Sequence, residues 1–458
     1  MKYIIQLVFI SYILISATVL SISCSRQVDQ TDNRWSPPIT ITGTKGGLMG
    51  GISVYKWRDT IIVLQGLDDG TAKCFLMNRS SNSWSEAHLT GVPKGYLWAY
   101  PTIEQTSNRV YFEQGYMEND QLVMNVLVGR MSESVIIRDA MEKKWLIDKK
   151  TLFGETGSNM RLNEPGRRNW PSSGIGVING SDIFIPYCLN GLVVTYRGKS
   201  MIVQDGPKNN CVFHSDDSGM TWKLERISDF EAWLPSLFKT KDYYYYLAVK
   251  DHQQDLWYAR KPVNDGSWDA PNAVTKTFCN SALNWKYVAV AADDIIHLCW
   301  LDRRHEKTRL NLEFPNRGNY EVAYCHRRDS DSDWSKDVIL SKGMLYSYAP
   351  SMSVEGEKIV VAWAGIQTSP DWHNKYATND IYYVTSKDSG KTWSKLLKLT
   401  DGAKDGITFG EPEVMLLNGV IHLFYIQGKR ESQELSPRLT KLNQPPWPIY
   451  YTQRPFPD

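Results

Sequence analysis

Two short segments, SDDSGMTW at 215–222 and SKDSGKTW at 386–393, decide the fold of this chain. Both fit the pattern S-x-D-x-G-x-T-W, in which the Ser and Asp side chains bond to backbone amides inside a turn. The Gly supplies a positive φ that other residues resist. The Trp that follows is expected to cover the apolar seam beside the turn. Each segment therefore predicts a tight β-hairpin.

Looser copies of this Trp turn recur along the chain, which is typical of a repeat architecture. Paired β-prone runs precede them, and PSMSVEGEKIVVAW at 350–363 reads as two strands joined by a Glu-Gly turn. Such pairs start near Gly50, Pro101, Gly174, Pro235, Val288, Pro350 and Pro412, and the Trp turns lie at Trp35, Trp84, Trp145, Trp222, Trp268, Trp334 and Trp393. Seven starts and seven Trp turns predict seven repeated units.

The two ends of the repeat complete each other. The last unit ends with IYYT at 449–452, which no Trp strand follows, whereas residues 35–42 form a Trp strand that no unit precedes. Pairing the two segments would remove exposed strand edges. The sequence thus predicts an all-β fold, a single β-propeller of seven four-stranded blades. Six blades are the alternative, and closure comes from pairing the N-terminal strand with the last blade.

The composition narrows the function. The formal net charge is +2, and no Lys/Arg cluster recurs along one face, so a nucleic-acid partner is not predicted. The chain has 17 Trp and 25 Tyr, and aromatic side chains both fill β cores and stack on sugar rings. No phosphate-binding loop, dinucleotide fingerprint or HExxH motif is present, and no cofactor is predicted.

Residues 1–24 are predicted to be a lipoprotein signal peptide, and residues 25–458 one domain. The apolar run at 3–20 is short, and no stop-transfer charges follow it. SISC at 21–24 resembles a lipobox, although Leu20 precedes its usual position by one residue, so Cys24 is the predicted lipidation site. We expect an exported outer-membrane or cell-surface lipoprotein that meets the membrane only through this anchor. A periplasmic or secreted protein is the alternative.

The S-x-D-x-G-x-T-W turns resemble the Asp-boxes of sialidases and related propellers. Sialidases place a Tyr nucleophile beside a Glu, with an Asp acid/base and three Arg that clamp the substrate carboxylate. The resemblance implies an extracellular glycan substrate and a site at corresponding positions of this chain. These positions are Tyr348, Glu231 and Asp69 (or its neighbour Asp68) for catalysis, and Arg317 and Lys250 for substrate binding.

The chain departs from the sialidase pattern in its substrate clamp. Gly51-Ile52-Ser53 occupies the place of the Arg-Ile-Pro that supplies the first clamp Arg. Lys250 stands at the second position, and an ammonium group cannot copy a planar guanidinium fork. Sialidases also have six blades. The sequence therefore favours a sialidase-like glycoside hydrolase, acting on an acidic glycan, over a true sialidase.

Two other functions fit the same fold. Ulvan lyases are seven-bladed propellers that use Tyr, His and Arg, because β-elimination needs a base and a cation beside a uronate carboxylate. The alternative lyase set in this chain is Tyr187, Arg197 and His252. A non-catalytic propeller that binds glycans is the third function. The aromatic platforms that would bind sugar in any of these functions are Trp98, Tyr100 and Trp170.

The cysteines leave several arrangements open. Six follow Cys24, which allows fifteen pairings. His297 and Cys299 share one strand face, so a zinc site with Cys325 on the neighbouring strand is a weak metal candidate. A Cys299–Cys325 disulfide or buried thiols are favoured over the metal. The sequence leaves the oligomeric state open.

Overall fold

The computed structural model describes residues 35–42, 52–58, 60–66, 72–78, 83–87, 102–103, 109–118, 121–130, 138–148, 172–173, 176–189, 193–196, 199–202, 209–228, 232–250, 255–264, 266–275, 287–302, 320–367, 378–402, 406–429 and 448–457. The regular elements of these residues are all β-strands. Within the same ranges, no helix is long and apolar enough to span a membrane. The all-β class predicted from the sequence is confirmed.

The strands form antiparallel sheets that follow one another along the chain. The first described strand, β1 (Ile39–Thr42), joins the last sheet. The first sheet contains β2 (Ile52–Trp57), β3 (Thr60–Gly66), β4 (Ala72–Asn78) and β5 (Ser83–Ala87). The second sheet contains β6 (Thr102–Ile103), β7 (Arg109–Glu118), β8 (Gln121–Arg130) and β9 (Arg138–Asp148).

The third sheet has five strands, and a separate hairpin lies between two of them along the chain. Its strands are β10 (Ser172–Ser173), β11 (Val177–Asn179), β12 (Asp182–Leu189), β15 (Asn209–Ser215) and β16 (Lys223–Ser228). The hairpin pairs β13 (Val193–Tyr196) with β14 (Lys199–Ile202). The fourth sheet contains β17 (Ala232–Lys239), β18 (Tyr243–Lys250), β19 (Asp255–Pro262) and β20 (Asn272–Ala273).

Three further four-stranded sheets complete the described strands. The fifth contains β21 (Tyr287–Ala292), β22 (Ile295–Asp302), β23 (Glu321–Arg328) and β24 (Val338–Ile339). The sixth contains β25 (Met344–Glu355), β26 (Lys358–Gln367), β27 (Asp380–Ser386) and β28 (Leu397–Lys398). The seventh contains β29 (Ile407–Leu417), β30 (Val420–Lys429), β31 (Ile449–Pro455) and β1.

The first strand pairs with the last, as the sequence predicts. Ile39 lies opposite Tyr451 and Thr42 opposite Ile449, in antiparallel register. Beyond the strand, the Ser36 amide donates to the Gln453 carbonyl over 2.9 Å. Strand β1 thereby covers the edge of β31, which would otherwise offer unpaired amides and carbonyls to another chain.

The two S-x-D-x-G-x-T-W segments form the predicted hairpin turns. In the first, Ser215 Oγ accepts the Gly219 amide at 2.7 Å and Asp217 Oδ1 accepts the Thr221 amide at 2.8 Å. The second repeats these bonds with Ser386 and Asp388 at 2.9 and 2.8 Å. Both glycines have φ of +85°, a conformation that side-chain-bearing residues adopt at a cost. The turn chemistry inferred from the sequence is confirmed at both copies.

The Trp residues of the predicted turns lie on the outermost strand of a sheet or shortly before it, but Trp145 lies inside β9, so the predicted turn at Trp145 is wrong. Two of the other Trp side chains show how a seam between sheets is covered. Trp393 packs against the core between the fifth and sixth sheets, with its ring 4.8 Å from that of Tyr324 and nearly perpendicular to it. Trp84 packs in the same way against Tyr451, at 5.2 Å, in the core between the seventh and first sheets. The predicted role of the Trp as a seam cover is confirmed at these positions.

A repeated His–Tyr pair lies beneath these two Trp rings. His297 Nδ1 shares a hydrogen bond of 2.7 Å with Tyr324 Oη, and His422 Nδ1 shares one of 2.8 Å with Tyr451 Oη. Each pair joins the second strand of its sheet to the third. The seam between the last and first sheets is therefore built like the seam between the fifth and sixth.

The first strands of successive sheets lie side by side. Strand β25 contacts β21 and β29, β21 contacts β17, and β29 contacts β2 of the first sheet. Strand β17 contacts the third sheet through β10, β11 and β12, and β11 contacts β6 of the second sheet. Apolar cores fill the seams from the third sheet to the seventh and the seam between the seventh and first sheets.

The seam between the third and fourth sheets also carries a charged network. The imidazole of His214 bonds to Glu225 Oε1 through Nδ1 at 2.9 Å and to Asp182 Oδ1 through Nε2 at 3.3 Å. Glu225 accepts further bonds from Lys261 Nζ and Trp268 Nε1, both 2.7 Å. Burial alone would lower the pKa of His214, but the bonds to both carboxylates outweigh it and raise that pKa above its ordinary 6.5.

This network predicts a pH-dependent contribution to stability. Because the folded-state pKa of His214 is raised, its charged form contributes below the unfolded value and is lost as pH rises through the folded pKa. We expect His214→Gln to lower the free energy of unfolding more at about pH 6 than at about pH 9. Urea denaturation at the two pH values measures this difference.

His326 supplies a control of opposite sign. Burial and the neighbouring cationic side chains of Arg328 and Lys391 lower its pKa, so its neutral form is the one that the fold favours. His326→Gln should therefore show no gain in destabilisation on acidification. Equal or reversed pH trends for the two variants would contradict the assignment of His214 as a charged side chain held by Asp182 and Glu225.

Candidate functional site

The first strands of the sixth and seventh sheets carry matching β-bulges. The register of β25 with β26 shifts between Tyr348 and Ser351, and the register of β29 with β30 shifts between Gly410 and Glu413. A bulge bends its strand and re-aims a side chain, and bulges are frequent beside active sites. The two bulges, which lie within these neighbouring strands, therefore mark the candidate site.

Both bulges contain a strained residue followed by proline. Ala349 has φ of 48° before Pro350, and Glu411 has φ of 46° before Pro412. A non-glycine residue in the left-handed region costs free energy and persists only where its surroundings impose it. Such outliers cluster at functional sites, which makes Glu411 a candidate residue in its own right.

The bulges bring a phenol and a carboxylate together across the two sheets. The Tyr348 hydroxyl donates a hydrogen bond to Glu411 Oε1. Both side chains are partly buried, and Tyr348 packs against the apolar core between the sixth and seventh sheets. The ring of Tyr346 lies nearly parallel to that of Tyr348, with centroids 6.5 Å apart. A carboxylate in this position can accept the phenolic proton and so activate the oxygen as a nucleophile.

The sequence places Tyr348 beside a Glu, and the contact found is with Glu411 rather than with the predicted Glu231. Glu231 itself lies outside the described residues. Asp68, Asp69 and Arg317 of the predicted sialidase-like set, the aromatic candidates Trp98, Tyr100 and Trp170, the lyase candidates Arg197 and His252, and Cys24 also lie outside them.

Lys250 takes part in a contact within its own sheet. It ends β18, and its ammonium group lies 4.0 Å from the ring centroid of Trp257 on the neighbouring strand. A cation over an aromatic face gains electrostatic attraction from the ring. This geometry gives Lys250 a partner other than a substrate carboxylate.

Tyr187 is a core side chain in this structure. It is completely buried, and its ring lies 5.5 Å from that of Phe213 on the paired strand β15. A general base must come within hydrogen-bond reach of the proton that it removes from a polysaccharide. Its position in the sheet interior therefore does not favour the predicted role of Tyr187 as the base of a lyase.

The weak metal candidate formed by His297, Cys299 and Cys325 is wrong. Cys299 lies opposite Tyr324, whereas Cys325 lies opposite Leu298, so the two cysteines point to opposite faces of the sheet. Accordingly, Cys299 packs in the core between the fifth and sixth sheets and Cys325 in that between the fourth and fifth. The same separation rules out the Cys299–Cys325 disulfide, and both side chains are buried free thiols.

Sequence reasoning missed Glu411, although a signal for it was present. Ala349-Pro350 and Glu411-Pro412 occupy the same place in consecutive units, directly before the start of a predicted strand pair. A residue before proline has a restricted backbone conformation. At this position the sixth unit has Ala349, whereas the seventh has the charged Glu411. Comparing unit starts position by position would have identified this carboxylate.

No protein-family model and no curated protein matches the sequence. Solved structures of similar fold exist, and three of them have 9 to 11% sequence identity to this chain. An ulvan lyase bound to -[GlcA(1-4)Rha3S]- aligns over 87% of this chain and 94% of its own, with 9% identity and a TM-score of 0.48. The endosialidase of phage phi92 aligns over 93% of this chain and 70% of its own, with 11% identity and a TM-score of 0.42.

A third solved structure is the intramolecular trans-sialidase from Ruminococcus gnavus in complex with oseltamivir carboxylate. It aligns over 90% of this chain and 96% of its own, with 11% identity and a TM-score of 0.41.

Proposed function

We propose that this chain is a sialidase-like glycoside hydrolase that acts on an extracellular acidic glycan. The observation that carries the proposal is the hydrogen bond from the Tyr348 hydroxyl to Glu411. A tyrosine is a weak nucleophile until a neighbouring base accepts its proton, and this pairing supplies the base at the required place. Tyr348 is the proposed nucleophile, and Glu411 takes the role that the sequence assigns to Glu231.

In the first proposed step, Glu411 accepts the phenolic proton while the Tyr348 oxygen forms a bond to the anomeric carbon and the glycosidic bond breaks. The leaving oxygen takes a proton from an acid, for which Asp69 is the candidate. In the second step, water attacks the anomeric carbon and gives a proton to the ionised acid, while the bond from that carbon to the Tyr348 oxygen breaks and leaves a phenolate. Tyr348 then regains its proton from Glu411, which restores the starting state.

A phenol nucleophile suits an acidic sugar for an electrostatic reason. A carboxylate nucleophile would bring one negative charge directly against another on the substrate, and like charges at short range repel strongly in a poorly solvated site. Tyr348 is neutral until its proton leaves. In the resting pair the negative charge lies on Glu411, one hydrogen bond farther from the reacting carbon. When Glu411 accepts the proton it becomes neutral, and the charge that passes to the Tyr348 oxygen is neutralised as that oxygen bonds to the anomeric carbon.

We also propose that the seven sheets are the blades of one closed propeller. Six seams support a ring: each joins neighbouring first strands, and one of them joins the last sheet to the first. The remaining seam would join the first and second sheets, which are consecutive along the chain. Pairing of β1 with the last sheet would then close the ring, and the opening of the candidate site would lie within that ring.

For localisation, we propose an exported lipoprotein anchored through Cys24. The supporting features are the short apolar run at 3–20 and the small residues that precede Cys24. An enzyme held at the cell surface would meet large glycans outside the cell. Metabolic labelling with a radioactive fatty acid, compared between the full chain and Cys24→Ala, tests the anchor.

The activity is tested by incubating the purified protein with a panel of sialylated glycans and uronate-bearing polysaccharides. New reducing ends without ultraviolet absorbance support hydrolysis. Absorbance from unsaturated ends would instead identify the lyase alternative, and binding without either signal would identify a glycan-capturing propeller. Either of these last two outcomes would overturn the proposed hydrolysis.

A further inference from the structure

The first strands of the sixth and seventh sheets are joined by side-chain oxygens of one and backbone amides of the other. Ser351 Oγ accepts the Val414 amide at 3.1 Å, and Ser353 Oγ accepts the Leu416 amide at 2.8 Å. One rung farther, the Glu355 carboxylate accepts the Asn418 amide at 2.6 Å. These bonds form a ladder between two strands that belong to different sheets.

The Tyr348–Glu411 pair is the top rung of this ladder. The four rungs join residues that are 63 positions apart, and the same separation holds at the level of the bulges and beyond them. This is possible only because each strand gains an extra residue at the same level. A bulge in one strand alone would shift its remaining side chains by one position and turn them to the opposite face.

Ser351 is the rung next to the pair, and it is held from two sides. Its side chain is 3% exposed, donates to Glu413 Oε2 at 2.8 Å and accepts the Val414 amide. It ties β25 directly after Pro350 to β29 directly after Pro412. The strained residues Ala349 and Glu411 need such over-determination by their neighbours to persist.

We propose that Ser351 is a positioning residue that sets the distance between the Tyr348 hydroxyl and Glu411. Its catalytic consequence rests on the function proposed above, whereas its geometric consequence does not. Without the Ser351 hydroxyl, Glu413 and the Val414 amide lose their shared partner, and the two bulges can relax independently. Because a misplacement of about 1 Å at a reacting pair costs on the order of 100-fold in rate, Ser351→Ala should lower kcat by roughly 10- to 100-fold.

Ser353→Ala is the matched control. It removes the same kind of hydroxyl-to-amide bond one rung lower and away from the bulges. A role in general stability would make the two serine variants alike in activity and in melting temperature. A positioning role separates them, since only Ser351→Ala should lose activity out of proportion to its melting temperature. Ser351→Thr keeps the hydroxyl and should recover most of the activity.

A direct readout uses the full mature chain with 3-fluorotyrosine placed at position 348 alone. The ¹⁹F resonance reports the hydrogen-bonding environment of this ring, and Glu411→Ala, which removes the acceptor, provides the spectrum of the uncoupled pair. We expect Ser351→Ala to move or broaden the resonance towards that spectrum and Ser353→Ala to leave it near the wild-type position. An unchanged resonance in Ser351→Ala, or equal changes in both variants, overturns the proposal.

The ¹⁹F spectrum and the activity assay test the two proposals separately. If the ¹⁹F shifts follow the expected order but the protein cleaves no glycan, the positioning role stands and the hydrolase proposal falls. If the protein hydrolyses a glycan and Ser351→Ala retains both the wild-type resonance and the wild-type kcat, the hydrolase proposal stands and the positioning role falls.

Discussion

Tyr348→Phe is expected to lower the rate of glycan hydrolysis by on the order of 10³-fold or more, with little change in melting temperature. The substitution keeps the ring that packs against the core between the sixth and seventh sheets and removes only the hydroxyl. That hydroxyl is the atom whose proton Glu411 accepts. Initial rates of reducing-end release at saturating substrate measure the effect.

Tyr346→Phe is the control for this experiment. Its ring lies nearly parallel to that of Tyr348, and the two phenols belong to the same strand. Loss of the Tyr346 hydroxyl should therefore change the rate far less than loss of the Tyr348 hydroxyl. Should Tyr348→Phe keep more than about a tenth of the wild-type rate, Tyr348 is not the nucleophile.

Trp35→Ala is expected to produce the largest loss of stability among the substitutions considered, about 3 kcal/mol. Trp35 packs against the core between the sixth and seventh sheets, with its ring 5.3 Å from that of Tyr383 and perpendicular to it. Its Nε1 donates to the Tyr383 hydroxyl at 3.2 Å. The Arg454 guanidinium lies 5.8 Å from the centroid of the ring and also donates to the Tyr383 hydroxyl at 2.9 Å. This expected loss in the free energy of unfolding is at the low end for a Trp truncation because the side chain is only partly buried.

The loss at Trp35 should be largely recovered by Phe. Trp35→Phe retains an aromatic ring on Tyr383 and removes the Nε1 donor, so its cost should be closer to that of a single hydrogen bond, about 1 kcal/mol. Chemical denaturation followed by Trp fluorescence measures both variants. If Trp35→Ala is as stable as the wild type, β1 does not hold the last sheet, and the proposed closure of the ring loses its main support.

Much of the architecture could be predicted from the sequence because the signals for it are local. A turn with Ser, Asp and Gly at fixed spacing needs no distant partner, and both copies form the predicted bonds. The pairing of β1 with β31 could also be predicted, since the repeat leaves an incomplete unit at each end and pairing the two ends completes the last sheet. Repetition turned these local signals into a prediction for the whole chain.

The chemistry at single positions was harder to predict. The prediction for His297, Cys299 and Cys325 failed because the face on which a strand residue lies depends on register, and a shift by one residue reverses it. Tyr187 illustrates the same difficulty in another form. A tyrosine at the end of a strand can face a mouth or a core, and the paired strand β15 with Phe213 decides for the core.

The sequence by itself determined the repeated hairpins, the Trp-covered seams and the use of the first strand to complete the last sheet, because turn chemistry and alternating apolar residues act over a few positions. Only the tertiary structure decided that Tyr348 meets Glu411. These residues lie 63 positions apart on strands of different sheets, and two synchronised bulges bring them to the same level. A contact of this kind depends on how one sheet packs against the next, and no short stretch of sequence encodes that packing.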